Sequence, residues 1–175
     1  MGKRSSFERM PRDFYPTPYE AILPLLPHIP HARFIEPCAG DGALVRHLEK
    51  HGHTCVDAFD IEPQAEDIRT DDALTFRRED GYSHFITNPP WDREILHPLI
   101  FNLCHQKPTW LLFDADWMHT KQAIPFMEMC CKIVSVGRVK WIPDSKMTGK
   151  DNCCWYKFDY WSAPKHPAMI ARQAA

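Results

Sequence analysis

The fold of this chain is decided by the stretch Ala32-Arg33-Phe34-Ile35-Glu36-Pro37-Cys38-Ala39-Gly40-Asp41-Gly42. Residues 32–35 predict a short strand, and residues 36–42 form a turn whose two glycines let a ligand approach the backbone closely. From Ala43 onward apolar residues recur at helical spacing, and Gly52 is a suitable stop. Strand, glycine turn and helix are the first half of a βαβ nucleotide-binding unit, although an ordinary strand-to-helix turn remains the alternative.

The next strand supports the nucleotide interpretation. The turn lacks the third glycine of a dinucleotide fingerprint, and it is no P-loop because no Gly-Lys-Ser/Thr follows. Residues 54–59 predict a second strand that ends at Asp60, about 20 residues after Gly40, where such a unit places a carboxylate on the ribose hydroxyls. A carboxylate can accept both hydrogen bonds of a vicinal diol. Ile61 would then lie against the base, whereas the alternative for Asp60 is a helix N-cap.

A second motif, Asn88-Pro89-Pro90-Trp91, lies where the apolar run 84–87 gives way to an amphipathic one. In an open α/β sheet, ligands bind where a strand ends and the chain continues towards the next helix. The two prolines fix φ and remove two backbone donors, so the neighbouring carbonyls are held in place. Asn88 Oδ1 and the Pro89 carbonyl can accept the two protons of an NH2 group while Trp91 stacks on its ring. The alternative is a turn that merely ends a strand.

The segment before the glycine turn predicts a helix. Thr17 followed by Pro18, with Glu20 three residues on, has the pattern of a capping box with proline at the first helical position. The helix would bury apolar side chains and end early at Pro24. Thr17 is therefore either a cap or a ligand contact. The residues expected to face inward are Ala21, Ile22, Leu25 and Leu26.

Together these motifs resemble the amino-methyltransferases, which methylate exocyclic nitrogens, above all N6 of adenine, from S-adenosylmethionine. Residues 88–91 resemble their Asn-Pro-Pro-aromatic motif, and residues 36–42 resemble Asp/Glu-Pro-x-Ala-Gly-x-Gly, the first motif of class I methyltransferases. Residues 15–18 resemble a Tyr-x-Thr-Pro segment, and residues 71–76 resemble Gly-Asp-x-Leu-x-Phe with Asp71 in place of the glycine. The resemblance covers residues 14–91 and is loose beyond them.

The resemblance implies S-adenosylmethionine as the cofactor and assigns its contacts. Glu36 and the glycine turn would hold the amino-acid moiety, and Asp72 or Asp71 would accept from the adenine amino group. The implied cofactor contacts are Phe14, Thr17, Glu36, Ala39, Gly40, Gly42, Asp60, Ile61, Asp72, Ala73 and Asn88. The implied catalytic residues are Asn88, Pro89, Pro90 and Trp91. No covalent cysteine is required, so Cys38 should be dispensable.

The resemblance also implies the fold class: an α/β, Rossmann-like three-layer sandwich whose mostly parallel seven-stranded sheet has one antiparallel hairpin strand. Residues 138–142 and 154–158 alternate like two strands joined by a polar loop, which predicts the hairpin. Its cations and aromatics suit phosphate contact and base stacking, or else a lysine-rich edge that deters aggregation. The predicted nucleic-acid contacts are Arg138, Lys140, Lys146, Lys150 and Trp155.

Charge is distributed unevenly along the chain. Its 175 residues carry a net charge of −2, yet residues 1–12 carry +3 and residues 132–175 carry +5, which leaves −10 in the middle. Basic ends around an acidic centre suit a polyanion held at the rim of a site for a cationic sulfonium, although solvated surface charge is the alternative. The length predicts a single domain, residues 13–162, between a flexible basic arm, 1–12, and a partly ordered tail, 163–175.

Seven cysteines, an odd number without a C-x-x-C pair, predict neither a disulfide framework nor a structural zinc site. Asp114 and Asp116 follow a predicted strand, but no further oxygen ligand accompanies them, so no metal is predicted. No apolar run approaches a membrane span and no secretory h-region follows the N-terminus, so we expect a cytoplasmic protein without membrane contact.

The chain thus resembles the small stand-alone adenine-N6 DNA methyltransferases of phage-type genes, an enzyme transferring methyl groups to DNA in preference to RNA. Alternative acceptors for the same motif are RNA adenine, cytosine N4 and, with tyrosine in place of Trp91, a protein glutamine. From a different class, the chain could be a catalytically silent binding module that keeps the cofactor fold. Target sequence, strandedness and oligomeric state do not follow from the sequence.

Overall fold

The computed structural model describes residues 15–142, 149–162, 164 and 166–172; Phe14 and Lys146 lie outside them. The strands are β1 (Arg33–Glu36), β2 (Thr54–Asp60), β3 (Arg69–Thr70), β4 (His84–Thr87), β5 (Thr109–Asp114), β6 (Cys130–Arg138), β7 (Asn152–Phe158) and β8 (Ala168–Ile170). The α-helices are α1 (Tyr19–Ile22), α2 (Ala43–Glu49), α3 (Arg93–Cys104) and α4 (Ile124–Met127). Short 3₁₀ turns cover Leu26–His28, Ala115–His119 and Lys121–Ala123. Among these helices none has the length and apolar character needed to cross a membrane.

The described strands form one sheet in the order β3-β2-β1-β4-β5-β7-β6-β8. Within it β7 is antiparallel to both β5 and β6, and the other pairings are parallel. The predicted Rossmann-like α/β class is therefore confirmed, with eight strands in the described chain instead of seven. From β1 the chain moves outward to β2 and β3 and returns to β4 on the other side of β1. The crevice between β1 and β4 is thus the topological switch point, where open α/β sheets bind ligands.

The sheet is buried on both faces because its strands are apolar at successive positions. In β5, Trp110 and Leu112 pack on one face with α1 and α2, while Leu111 and Phe113 pack on the other with α3. Side chains of a strand alternate between faces, so a strand covered on both sides must be apolar throughout. This alternation produces two cores and the predicted three layers.

The hairpin forms, but its first arm differs from the predicted one. β6 spans residues 130–138, with register shifts at Cys130/Lys132 and Ser135/Gly137, and the predicted strand 138–142 is wrong. Gly137 has φ of 86°, and after Arg138 the chain leaves the sheet. β8 was not predicted either. It pairs with β6 through Lys132↔Ala168 and Val134↔Ile170, so the hairpin is not the edge of the sheet.

The predicted capping box is also wrong. Pro18, not Thr17, is the N-cap of α1, and no side chain caps this one-turn helix. Ala21, Ile22 and Leu25 are buried as predicted. α2 and α3 agree better with their sequence patterns, since α2 starts directly after Gly42 and α3 is capped by Asp92, whose side chain accepts from Glu94 N at 2.9 Å.

Candidate active site

A cavity of about 780 Å³ opens at the carboxyl ends of β1, β2 and β4. It lies at the switch point, so both sequence motifs reach it. Of the predicted residues, those that line it are Thr17, Glu36, Ala39, Gly40, Asp60, Ile61, Asp72, Ala73, Asn88 and Pro90. Gly42, Pro89 and Trp91 lie next to lining residues without lining the cavity themselves. The structure therefore brings the glycine turn and the Asn-Pro-Pro-Trp motif to one site.

The glycine turn is fastened to the end of β2. Gly40 N donates to Asp60 Oδ2 at 2.9 Å, and Gln64 N donates to the Gly40 carbonyl at 2.9 Å. Gly40 and Gly42 have φ of 52° and 75°, in the left-handed region that favours glycine. Gly42 is the N-cap of α2. The turn consequently holds its backbone at the cavity wall in a conformation that another residue would strain.

Glu36, the last residue of β1, is the most unusual group of the site. Only 2% of its surface is exposed, and Oε2 has no hydrogen-bond partner among the described residues. Burial raises the pKa of the Glu36 carboxyl well above its usual range, and the nearby Asp41 carboxylate raises that pKa further. An unpaired buried carboxyl is costly unless a ligand completes it. A cationic ligand group, such as an ammonium, would do so.

Asp60 and Ile61 end β2 at the same wall. Asp60 Oδ1 accepts from Glu62 N at 2.9 Å, so with the Gly40 contact both carboxylate oxygens are oriented by backbone amides. Each oxygen retains a further lone pair for a hydroxyl of a ligand. Ile61 lines the cavity with 59% of its surface exposed, an apolar surface available to a flat ring.

The structure distinguishes between the two adjacent carboxylates after β3. Asp71 forms an ion pair with Arg69 and does not line the cavity. Asp72 does line it, and its Oδ1 accepts from Leu74 N at 2.8 Å. Of the two, Asp72 is therefore placed to reach a ligand in the cavity, together with its neighbour Ala73.

The Asn-Pro-Pro-Trp motif follows β4 as an extended segment. Asn88 Nδ2 donates to the Tyr15 carbonyl at 3.5 Å, which leaves Oδ1 as the acceptor end of the amide. No hydrogen bond from a described residue reaches Asn88 Oδ1 or the buried Pro89 carbonyl. Trp91 is half-buried where the two cores meet, with its ring centroid 5.9 Å from that of Trp141 at an interplanar angle of 83°. Two acceptors and an aromatic ring thus occur together in the segment that borders the cavity.

The charged side chains that line the cavity are acidic, and no lysine or arginine of the described chain lines it. Such a site favours a ligand with positive charge. Cys38 also lines the cavity, but burial raises the pKa of its thiol, so it stays protonated at neutral pH and is a poor nucleophile. The acidic lining residues are Glu36, Asp41, Asp60, Glu62, Asp72 and Asp92.

The predicted nucleic-acid contacts of the hairpin differ in their exposure to solvent. Arg138, Lys140 and Lys150 are exposed. Their end of the hairpin lies at the cavity edge of the sheet, because Cys153 of β7 pairs with Asp114, the last residue of β5. The prediction that Trp155 contacts nucleic acid is wrong. Trp155 is fully buried, and its Nε1 donates to the Ala21 carbonyl at 2.8 Å, so it cannot stack on a base.

Sequence reasoning missed several lining residues. Tyr15 was part of the Tyr-x-Thr-Pro segment, and its position before Thr17 could have indicated it. Ile95 and Leu99 of α3 also line the cavity. Their i, i+4 spacing in the helix that starts directly after the motif was the available signal.

No protein-family model and no curated protein matches the sequence. Solved structures match in fold. A provisionally assigned RNA methyltransferase from Pyrococcus horikoshii aligns over 90% of this chain and 92% of its own, with a TM-score of 0.58 and 17% identity. The N-methyltransferase NodS from Bradyrhizobium japonicum aligns over 85% and 94%, with a TM-score of 0.51 and 16% identity.

A third match is a provisionally assigned class I S-adenosylmethionine-dependent methyltransferase from Listeria monocytogenes. It aligns over 89% of this chain and 61% of its own, with a TM-score of 0.50 and 12% identity. The chain therefore has the Rossmann-like fold of the class I methyltransferases. The charged residues that line the site at its switch point are acidic, which favours a ligand with a positive charge.

Proposed function

We propose that this protein is an S-adenosylmethionine-dependent N-methyltransferase whose acceptor is an exocyclic amino nitrogen, N6 of adenine in DNA. The observation that carries the proposal is the shared cavity: the Glu36 carboxyl, whose Oε2 has no described partner, and the Asn88 amide line the same space from the ends of adjacent parallel strands. A cationic methyl donor and an amino acceptor can meet there.

The described residues fit S-adenosylmethionine. Glu36 Oε2 would pair with the ammonium group, and the Gly40 backbone allows the amino-acid moiety to pass close by. Asp60 would bind the ribose hydroxyls, Ile61 would cover the adenine ring, and Asp72 would accept from the adenine amino group. The charged residues of the lining are all acidic, which agrees with a ligand that carries both a sulfonium and an ammonium.

When bound, S-adenosylmethionine supplies an electrophilic methyl group on a sulfonium. The chain's task is to make a poor nucleophile reactive, because the lone pair of an aromatic amine is delocalised into its ring. Asn88 Oδ1 and the Pro89 carbonyl would accept the two amino protons and thereby localise that lone pair on nitrogen. Orientation and electrostatics of this kind supply most of the rate enhancement.

The acceptor base would be flipped out of a duplex, or taken from a single strand, and stack on Trp91. Arg138, Lys140 and Lys150 stand on the same edge of the sheet and would contact phosphates. The resemblance of the Asn-Pro-Pro-Trp motif favours DNA. RNA adenine is the second candidate, favoured by the fold match to a protein described as an RNA methyltransferase.

Two further hypotheses differ in what they predict. Methylation of cytosine N4 or of a protein glutamine would use the same Asn88 acceptor geometry on another amine. A silent binding module would bind S-adenosylmethionine and transfer nothing.

Tritium transfer from labelled S-adenosylmethionine to separate pools of DNA, RNA and protein tests the proposal. We expect label in DNA with the unaltered protein and none with Asn88→Ala. Label confined to RNA would select the second candidate, and label confined to protein would overturn the nucleic-acid assignment. Cofactor binding without label in any pool would support the silent module instead.

A further inference from the structure

The loop that follows β6 lies on the same edge of the sheet as the cavity. Arg138 pairs with Asn152 at this end of the hairpin, and the Val139 carbonyl accepts from Gly149 N at 2.8 Å. This hydrogen bond closes the base of the loop. Trp141 is therefore carried on a segment whose two ends are fastened to each other.

Trp141 contacts two aromatic residues near Asn88, namely Trp91 and Tyr15. Its ring centroid lies 5.9 Å from that of Trp91, nearly perpendicular to it, and 6.4 Å from that of Tyr15 at an interplanar angle of 56°. Tyr15 in turn accepts, through its carbonyl, the hydrogen bond from Asn88 Nδ2. One half-buried indole thus touches the aromatic end of the motif and the residue that orients the carboxamide.

Gly149 shows that the loop is shaped around this indole. A Cβ added at Gly149 would lie 2.9 Å from the Val139 carbonyl oxygen and 3.1 Å from Trp141 Cδ1. Both separations are below ordinary van der Waals contact, so a larger residue would move either the loop closure or the ring. The backbone at position 149 can approach Trp141 this closely because glycine has no side chain.

We propose that Trp141 is a positioning residue for the methyl acceptor: it fixes the orientation of Trp91 and, through Tyr15, that of the Asn88 carboxamide. This inference rests on the proposed function. Edge-to-face packing is a preferred aromatic geometry, and here Trp141 adds such a contact to the Trp91 ring. The hairpin, which carries the phosphate-binding cations, is thereby connected to the group that receives the amine.

The test measures kcat and KM with labelled S-adenosylmethionine and whichever of unmethylated genomic DNA or total RNA the unaltered protein methylates. We expect Trp141→Ala to lower kcat at least ten-fold while the Kd for S-adenosylmethionine stays within two-fold. Trp141→Phe should keep at least a third of kcat, because a phenyl ring preserves the aromatic contact. Gly149→Ala should lower kcat in the same direction without removing the indole.

Trp161→Ala is the matched control. Trp161 is 74% exposed, and its Nε1 donates to the His105 carbonyl just after α3 ends, on the opposite edge of the sheet. We expect this variant to keep kcat. In proton–nitrogen NMR spectra, the Trp91 indole and Asn88 side-chain amide signals should move in Trp141→Ala and stay in Trp161→Ala.

Three results would overturn the inference. These are an unchanged kcat in Trp141→Ala, unmoved Trp91 and Asn88 signals, or a loss of cofactor affinity parallel to that of kcat, which would indicate a merely structural role. With an active unaltered protein, each result leaves the proposed function standing. An unaltered protein that methylates neither DNA nor RNA would instead overturn the proposed function and this inference with it.

Discussion

Asn88 offers the most direct test at the scale of a single residue. Its amide lines the cavity, and Oδ1 has no described partner, so its removal leaves the proposed cofactor contacts at Glu36 and Asp60 in place. We expect Asn88→Ala to lower methyl transfer by on the order of a hundred-fold or more, as when one aimed hydrogen-bonding group is removed from an active site. Calorimetry should show S-adenosylmethionine affinity nearly unchanged.

Cys38→Ala is the control for that variant. It alters the same cavity wall but removes a thiol that burial keeps protonated. This variant should retain its transfer rate. If Asn88→Ala lost cofactor affinity and transfer together, the assignment of Asn88 to the acceptor amine would be contradicted.

Glu36 predicts a pH dependence with a definite sign. The folded protein holds the Glu36 proton more tightly than the unfolded chain does, since its pKa lies above the ordinary 4.5. This group therefore stabilises the empty protein less as the pH rises above that value. Glu36→Gln carries no such charge, so we expect urea unfolding to show it gaining stability relative to the unaltered protein as the pH rises from 5 to 8.

The proposed pairing of Glu36 with the cofactor also couples cofactor binding to the loss of the Glu36 proton. Pairing with the cofactor ammonium favours the charged form of Glu36, so binding should release a proton and the affinity should rise with pH. Calorimetry in two buffers of different ionisation enthalpy measures this release. Glu36→Gln should bind more weakly and release fewer protons. Equal affinity and equal proton release in both proteins would exclude Glu36 from the site.

Residue patterns indicated which side chains lie at the cavity where local geometry alone determined their position. Glu36 and Asp60 end β1 and β2, Asn88 directly follows β4, and Gly40 lies in the turn after β1; parallel strands bring such ends together. The pattern around Thr17 fits either a cap or a ligand contact; in the structure Pro18 takes the N-cap position and Thr17 lines the cavity. The choice of Asp72 over Asp71 required the structure, because only the fold shows that Arg69 binds Asp71.

At the scale of elements, the exposed cations of the hairpin predict how DNA affinity depends on salt concentration. Arg138, Lys140 and Lys150 are exposed on the cavity edge of the sheet. If each contacts a phosphate, substituting all three by alanine should reduce the slope of log affinity against log salt by about 0.9 per lost contact. Filter binding of duplex DNA across a salt series measures the slope.

Lys50→Ala is the control for the charge substitutions, since this exposed lysine follows α2 on the opposite edge of the sheet. Its slope should equal that of the unaltered protein. An unchanged slope in the triple variant would show that the hairpin does not contact the phosphates.

Trp155 is expected to support the fold rather than bind nucleic acid. Its indole is fully buried, and Trp155→Phe would leave the Ala21 carbonyl without its partner. Losing one buried hydrogen bond costs about 1–3 kcal/mol, which urea unfolding would detect. DNA affinity of the folded variant should not change. A loss of affinity without a loss of stability would contradict the structural role.

The predictions for the hairpin were partly wrong because its details depend on tertiary contacts and backbone geometry that the local sequence pattern does not reveal. Alternation in residues 154–158 predicts a strand but cannot show that α1 covers one of its faces. The end of β6 depends on Gly137, whose left-handed backbone bends a strand that the apolar pattern continues through. β8 is three residues long and depends on its pairing with β6, so its own sequence carries little signal.

The fold of the whole molecule was predictable because motif order and strand-sized gaps constrain it. A glycine turn after the first strand and an Asn-Pro-Pro-Trp motif after a later one must meet if the sheet is parallel and reverses between them, as the order β2-β1-β4 shows. The choice of methyl acceptor depends on the surface around the site, and no periodicity in the sequence specifies that surface. That is why the sequence specifies residues for a cofactor site more closely than it specifies the substrate.

The central claim concerns the whole protein: it methylates an exocyclic amine of a nucleic-acid base. The direct measurement is nucleoside mass analysis of DNA and RNA from cells that lack adenine methylation and express the unaltered protein or Asn88→Ala. We predict N6-methyladenine in the DNA of the first cells and none in the second. Absence of any methylated base in both DNA and RNA, from cells whose purified protein binds S-adenosylmethionine, would contradict the claim.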